Sequence, residues 1–404
     1  MILNTDSSNY KTIPSYAFTA LLTGIILRLF IVFFAPVHEV PSSIPAFNDE
    51  TSHRNHVIFR SVVNHTPAQR LSATDAYALE RGEVEYSQPP LYYIFAAGIL
   101  NLSRSTILLR IISLTFWLLA LFLVTRFAPN ERMRAPLLLA GGLLGVGMIP
   151  SATINNDSLL ALVTAAIYAQ TACAVKKETT LITLMNLGML AALGVWVKIS
   201  ALTLLPMIML AGYLGTSGTR KRKLIAVLFI LAVTFWMTIP LWYSRISVYG
   251  SPISVSMSAG DAVFKPRDAI VSAIYSLLCP WMELWASYLV KIPCILFILA
   301  LVISGITLFL ALIRRKKSIF NESGADIRRI LIIWSTGAIF GVTAWAFYGI
   351  NYHQVDTRLL LPAAPALAIL LGWPLWSWQK KHADIAGWAL VILCAIPYIA
   401  WVTS

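Results

Sequence analysis

Apolar runs of about 17–25 residues recur along the whole chain, and each has the length a helix needs to cross a bilayer. The 404 residues are 58% hydrophobic and only 12% charged, with a mean hydropathy of +0.74. So few charges cannot keep a water-soluble domain of this size dissolved. The chain is therefore expected to be an all-α polytopic membrane protein.

The net charge of +13 does not imply a nucleic-acid partner, because of where the positive charge sits. It falls in short clusters between apolar runs: Arg126–Arg134, Lys176-Lys177, Arg220–Lys223, Arg314–Lys317 with Arg328-Arg329, and Lys380-Lys381. With Lys11 these hold 18 of the 31 basic residues, the positive-inside pattern of cytoplasmic loops. Cys173, Cys294 and Cys394 lie in apolar runs, Cys279 stands in a loop, and no CxxC pair occurs. Neither a disulfide framework nor a zinc site is indicated.

Placing each basic cluster in the cytoplasm threads about eleven spans (11–13): 16–36, 106–126, 136–153, 158–175, 180–197, 200–216, 224–243, 291–313, 329–348, 359–377 and 385–402. The first run is too long for a signal-peptide core, so it is read as a retained helix with a cytoplasmic N-terminus. The apolar stretch 91–102 is too short to span and is read as an interfacial helix. Counting it as a span would invert every later loop. Two long outer loops result, about 37–105 and about 244–290. With no internal repeat or linker, residues 1–404 form one membrane domain without a separate soluble domain.

The same threading delivers Asp49, Glu50, Asp157, Lys198, Arg245, His353 and Arg358 to the outer face, although only basic clusters at the other face set it. The first outer loop carries seven carboxylates, among them Asp49 and Glu50. A carboxylate there can act as a general base or hold a divalent cation. Asp157 sits at the polar break Ile154-Asn155-Asn156-Asp157, where capping a helix and catalysis are both open to it. Lys198, Arg245 and Arg358 run against the charge rule. As cations at helix ends they either snorkel to lipid phosphates or form a shared phosphate site. Arg28, near the middle of the first span, is expected to face the bundle interior in a structural ion pair. His53, His56 and His65 have no ligand-like spacing.

In order along the chain stand Leu27-Arg28-Leu29, Asp49-Glu50, Gln88-Pro89-Pro90-Leu91-Tyr92-Tyr93, Arg110 with Ser113, Asn156-Asp157, Lys198, Trp242–Arg245 with Tyr249-Gly250-Ser251-Pro252, and Gln354 to Arg358 followed by Pro362 and Pro365. This order resembles the GT-C superfamily of integral-membrane glycosyltransferases, especially the bacterial relatives of the protein O-mannosyltransferases and the lipid A aminoarabinose transferase. The last motif commonly reads Gln-Gly-Arg-Tyr in that family. Here it is Gln354-Val355-Asp356-Thr357-Arg358-Leu359, which aligns Arg358 better than Gln354.

The resemblance implies a GT-C-like bundle whose outer-face active-site loop bears short interfacial helices. It also implies a polyprenyl-phosphate-sugar donor and an inverting displacement, in the inner (plasma) membrane of a bacterium with the site facing the periplasm or exterior. By that likeness Asp49 is the general base, with Glu50 beside it. Asp157 orients a substrate or shares a Mg or Mn ion with Asp49. Arg358, Lys198 and Arg245 hold the leaving phosphate. Gln88, Pro89, Tyr92, Tyr93, His353 and Gln354 line the substrate site or its lid. The acceptor is a lipid-linked glycan or lipopolysaccharide in preference to a protein. Two other classes compete: an O-antigen ligase or polymerase, which would need a basic outer loop, and a transporter or flippase for lipid-linked glycan, which would show repeats and mid-bilayer charge.

Overall fold

A computed structural model of the chain describes residues 13–35, 45–63, 88–103, 105–177, 179–249, 288–313, 324–352 and 357–403. Every regular element among them is helical. Helix α1 (Ser15–Phe34) begins after Pro14, and α2 (Pro45–Val63) starts on a proline whose fixed φ suits a first helical turn. Helix α3 (Leu91–Ser103) has only 13 residues, about 20 Å at 1.5 Å per residue, too short to cross hydrocarbon. Helix α4 (Thr106–Arg126) starts at Ser105, whose hydroxyl accepts the Leu108 N–H, and ends on a basic residue.

The chain continues through α5 (Arg134–Leu143), α6 (Gly145–Ala152), α7 (Asn156–Lys176) and α8 (Leu181–Val197). A 3-10 turn, Ile199–Leu204, leads into α9 (Leu205–Gly215), followed by α10 (Arg220–Tyr249), α11 (Tyr288–Ile313) and α12 (Gly324–Tyr352). A second 3-10 turn, Thr357–Ala363, precedes α13 (Ala364–Leu371), α14 (Trp373–Ser377) and α15 (Lys380–Thr403).

Five helices among the described residues are long and apolar enough to cross a membrane: α1, α4, α7, and the segments Arg220–Ser247 of α10 and Asp326–Phe347 of α12. Their outward faces are greasy, with Phe18, Leu22, Ile26 and Phe30 exposed on α1 and Leu228, Phe235 and Trp236 on α10. That is the pattern of an integral membrane protein, whose lipid-facing side chains have no reason to be polar.

Three expected spans differ in form. The stretch 136–153 is two helices, because Leu144 adopts an extended backbone (ψ 131°) between α5 and α6. The stretch 200–216 opens as a 3-10 turn, and 359–377 is divided among a 3-10 turn, α13 and α14 by Pro362, Pro365, Gly372 and Pro374. Residues 45–63 form a 19-residue helix inside the stretch assigned from the sequence to the first outer loop.

Helix α1 crosses α5 at very short range. A methyl group on Gly24 would overlap the Gly142 carbonyl, and one on Gly142 would overlap Ala20. The break after α5 is held by Arg28, buried in α1. Its guanidinium donates to Ser151 Oγ (2.7 Å) and to the carbonyls of Gly24 (3.0 Å), Gly141 (3.0 Å) and Gly142 (2.8 Å). It also lies 3.8 Å from the Trp117 ring centroid. Among the described residues no carboxylate pairs with it, so the expected ion pair is corrected. Backbone carbonyls freed by the break take that place.

Candidate active site

The N-terminal half of α2 is anchored by a buried carboxylate. Glu50 accepts a two-pronged bond from Arg110 of α4, Nε to Oε1 at 2.7 Å and Nη2 to Oε2 at 2.6 Å. The two side chains are 3% and 1% exposed. Arg110 Nη1 also donates to the carbonyls of Ala35 (2.7 Å), Ile31 and Val32 (both 3.3 Å) at the end of α1, where Ile31 already accepts the Ala35 N–H at 3.1 Å. Glu50 Oε1 accepts the Ile154 N–H at 3.0 Å. One carboxylate thus fastens α2 to α4, to the tip of α1 and to the break before α7.

At that break Asn155, not Asp157, caps the helix: extended at φ −154°, ψ 140°, it accepts the Asp157 N–H on its side-chain oxygen at 2.8 Å. The Asp157 side chain is therefore released from capping. Its Oδ1 accepts from Lys198 Nζ at 2.7 Å, with Asp157 fully buried and Lys198 14% exposed. Lys198 stands in the extended joint between α8 and the Ile199–Leu204 turn. Asn156 Nδ2 reaches Gln88 Oε1 at 3.3 Å and the Val197 carbonyl at 3.4 Å. Asp157 Oδ2 and Asn156 Oδ1, both buried, accept no hydrogen bond among the described residues.

Pro89 and Pro90 are buried ahead of α3, whose Ile94 N–H bonds the Pro90 carbonyl. Tyr93 ties α3 to α2: its hydroxyl lies 2.5 Å from His53 Nδ1, and its ring stacks on His56 at 3.8 Å between centroids. Arg60 donates to His56 Nε2 at 3.1 Å, so that nitrogen is an acceptor and the ring proton sits on Nδ1. Tyr92 packs edge-on to Tyr93, and burial pushes its phenol above the ordinary tyrosine pKa.

The structure thus gathers Glu50, Gln88, Pro89, Tyr92, Tyr93, Asp157 and Lys198 at one end of the helices. Arg245 is buried near the end of α10. Asp49 precedes Glu50 in α2, and Arg358 lies in the Thr357–Ala363 turn. The side chains of both lie outside the described residues, as do His353 and Gln354. The sequence assigns no role to Arg110 or Arg60, offers His53 only as a metal ligand that its spacing does not support, and places Asn155 only within the polar break. One signal was present for Arg110: a cation one turn inside an apolar helix requires a partner. Among the described residues no group of three His, Cys, Asp or Glu side chains is placed to hold a metal ion. No protein-family model, curated protein or solved structure matches the chain.

Proposed function

We propose that the chain is a glycosyltransferase of GT-C type, moving a sugar from a polyprenyl-phosphate donor to a lipid-linked glycan or lipopolysaccharide at the outer face of a bacterial inner membrane. The observation that carries this reading is the Glu50–Arg110 clamp. It fixes the turn of α2 that bears Asp49 against the break that presents Asp157. A base has to be held in place relative to its substrate before its pKa matters.

In this reading Asp49 removes the proton from the acceptor hydroxyl as that oxygen bonds to the anomeric carbon. The bond from that carbon to the phosphate oxygen breaks on the opposite face, and the phosphate leaves with the electron pair. The configuration inverts. Arg358, with Arg245, neutralises the departing phosphate. Glu50 positions α2 and is not a second base, since both its oxygens are taken. Lys198 supports Asp157, because its ammonium is engaged there.

An apolar cavity of about 330 Å³ supports a lipid donor. Its lining includes Ala161, one turn along α7 from Asp157, and Leu360 and Leu361 just after Arg358. A divalent cation fits Asp157 poorly. The charge of that carboxylate is already matched by the Lys198 ammonium at 2.7 Å, so Asp157 has no cation assigned to it in this reading.

Lipid extracts of cells lacking the gene test the reading. A polyprenyl-phosphate sugar should accumulate while one sugar disappears from the envelope glycan, and Asp49→Asn should fail to reverse this although the protein is present and folded. Restoration of the glycan by Asp49→Asn would sink the base assignment. Accumulation of a finished lipid-linked glycan would favour a transporter.

A further inference from the structure

We infer that Asn156 and Asp157 form a subsite for a neutral vicinal diol, with Gln88 occupying the place of one hydroxyl. The inference deepens the sugar-transfer reading and rests on it for the identity of the diol as part of a sugar ring.

The bonding of Asn156 is the starting point. A buried amide ordinarily uses its carbonyl oxygen and makes N–H···O bonds of 2.7–3.2 Å. Asn156 instead has two long bonds, 3.3 Å to Gln88 and 3.4 Å to Val197, and its Oδ1 accepts none among the described residues. On the next residue Asp157 Oδ2 is in the same condition, although Oδ1 of the same carboxylate has a 2.7 Å bond to Lys198. Two adjacent acceptors, both fully buried, carry a desolvation cost that no donor among the described residues offsets. Leucine at 156 would avoid it. The cost is offset when a ligand supplies the missing donors.

The chemistry of that ligand follows from what each atom lacks. Asn156 Oδ1 and Asp157 Oδ2 each require a donor, while Asn156 Nδ2 requires a closer acceptor. A phosphate brings mostly acceptor oxygens and would set its negative charge beside the Asp157 carboxylate. A metal cation would sit beside the Lys198 ammonium, in a pair that is already neutral. A hydroxyl both donates and accepts, so two neighbouring hydroxyls meet all three needs. One donates to Asp157 Oδ2. The other donates to Asn156 Oδ1 and receives Nδ2 where Gln88 Oε1 now stands. Gln88 is half-buried, so it is the member of the cluster placed to move aside.

Saturation-transfer NMR on the full chain in detergent tests this, with a panel of free hexoses and pentoses, their deoxy analogues, inorganic phosphate and magnesium as probes. Hexose binding should fall about tenfold for each hydrogen bond lost, in Asn156→Leu and in the deoxy analogue that lacks either hydroxyl. Gln88→Ala leaves the buried pair intact and should strengthen binding severalfold, which keeps the test informative if Asn156→Leu does not fold. Unchanged hexose binding in both variants would overturn the inference. So would competition by magnesium or phosphate in place of sugar, or no response to any probe, which would leave ordered water as the missing donor. Hexose binding by a chain that transfers no sugar would refute the catalytic reading and keep the subsite. Transfer with hexose binding indifferent to these variants would do the reverse.

Discussion

Replacing Arg110 by methionine removes the cation that holds Glu50, and the structure sets the size of the effect. The carboxylate stays 3% exposed, loses bonds of 2.7 and 2.6 Å and keeps only the Ile154 N–H among the described residues. Breaking a buried pair in this way costs about 3–5 kcal/mol. Glu50→Leu should cost less, because Arg110 retains the carbonyls of Ile31, Val32 and Ala35. The double variant leaves no unpaired charge and should be more stable than Arg110→Met alone, by at least about 2 kcal/mol.

Unfolding by SDS titration in mixed micelles, followed through the chain's 13 tryptophans, measures all four proteins on one scale. Costs that simply add in the double variant, or single costs each below about 1 kcal/mol, would refute the clamp.

Three further outcomes follow from the same geometry. Gly24→Ala pushes a methyl into the Gly142 carbonyl and should lower stability by about 1–3 kcal/mol or more in the same titration. A comparable substitution at Gly98, around which a methyl meets nothing, should not. Arg28→Lys cannot reach Ser151 and three carbonyls from one nitrogen, and a loss above about 2 kcal/mol is expected. The Tyr92 phenol has a raised pKa when folded. Its contribution is therefore complete below about pH 10, the unfolded value, and is lost as pH rises beyond it. Tyr92→Phe should flatten that alkaline limb in stability measured against pH.

The long helices were legible because nothing in their sequences conflicts. An apolar run with Arg110 as its one internal charge follows Ser105 and ends at Arg126, and Leu181–Val197 has neither proline nor charge. Where glycine and proline interrupt an apolar run, hydropathy still reads one span, but the backbone divides it, as at Leu144 and across Pro362–Pro374. Helix α2 was hidden by its polar composition, since its order comes from Arg110 and Tyr93 and not from an apolar stripe. The grouping of Gln88 with Asp157 and Lys198 was visible only as residues expected on one face. The choice of Asn155 over Asp157 as the cap could not be read at all, because either side chain suits that position.

That choice bears on how the acids at this end can be told apart. Once Asn155 takes the capping bond, Asp157 is free to pair with Lys198, just as Glu50 pairs with Arg110. Each pair balances a carboxylate with a cation from a neighbouring helix end, so loss of activity at either acid has a structural explanation ready. A base must be assigned by an experiment that removes the structural explanation. Restoring stability through Glu50→Leu with Arg110→Met does this for Glu50. If that double variant is stable yet inactive while its Asp49 is unchanged, the lost quantity is the positioning of α2. If it is stable and active, the clamp serves the fold alone, and the placement of Asp49 must come from elsewhere in the chain.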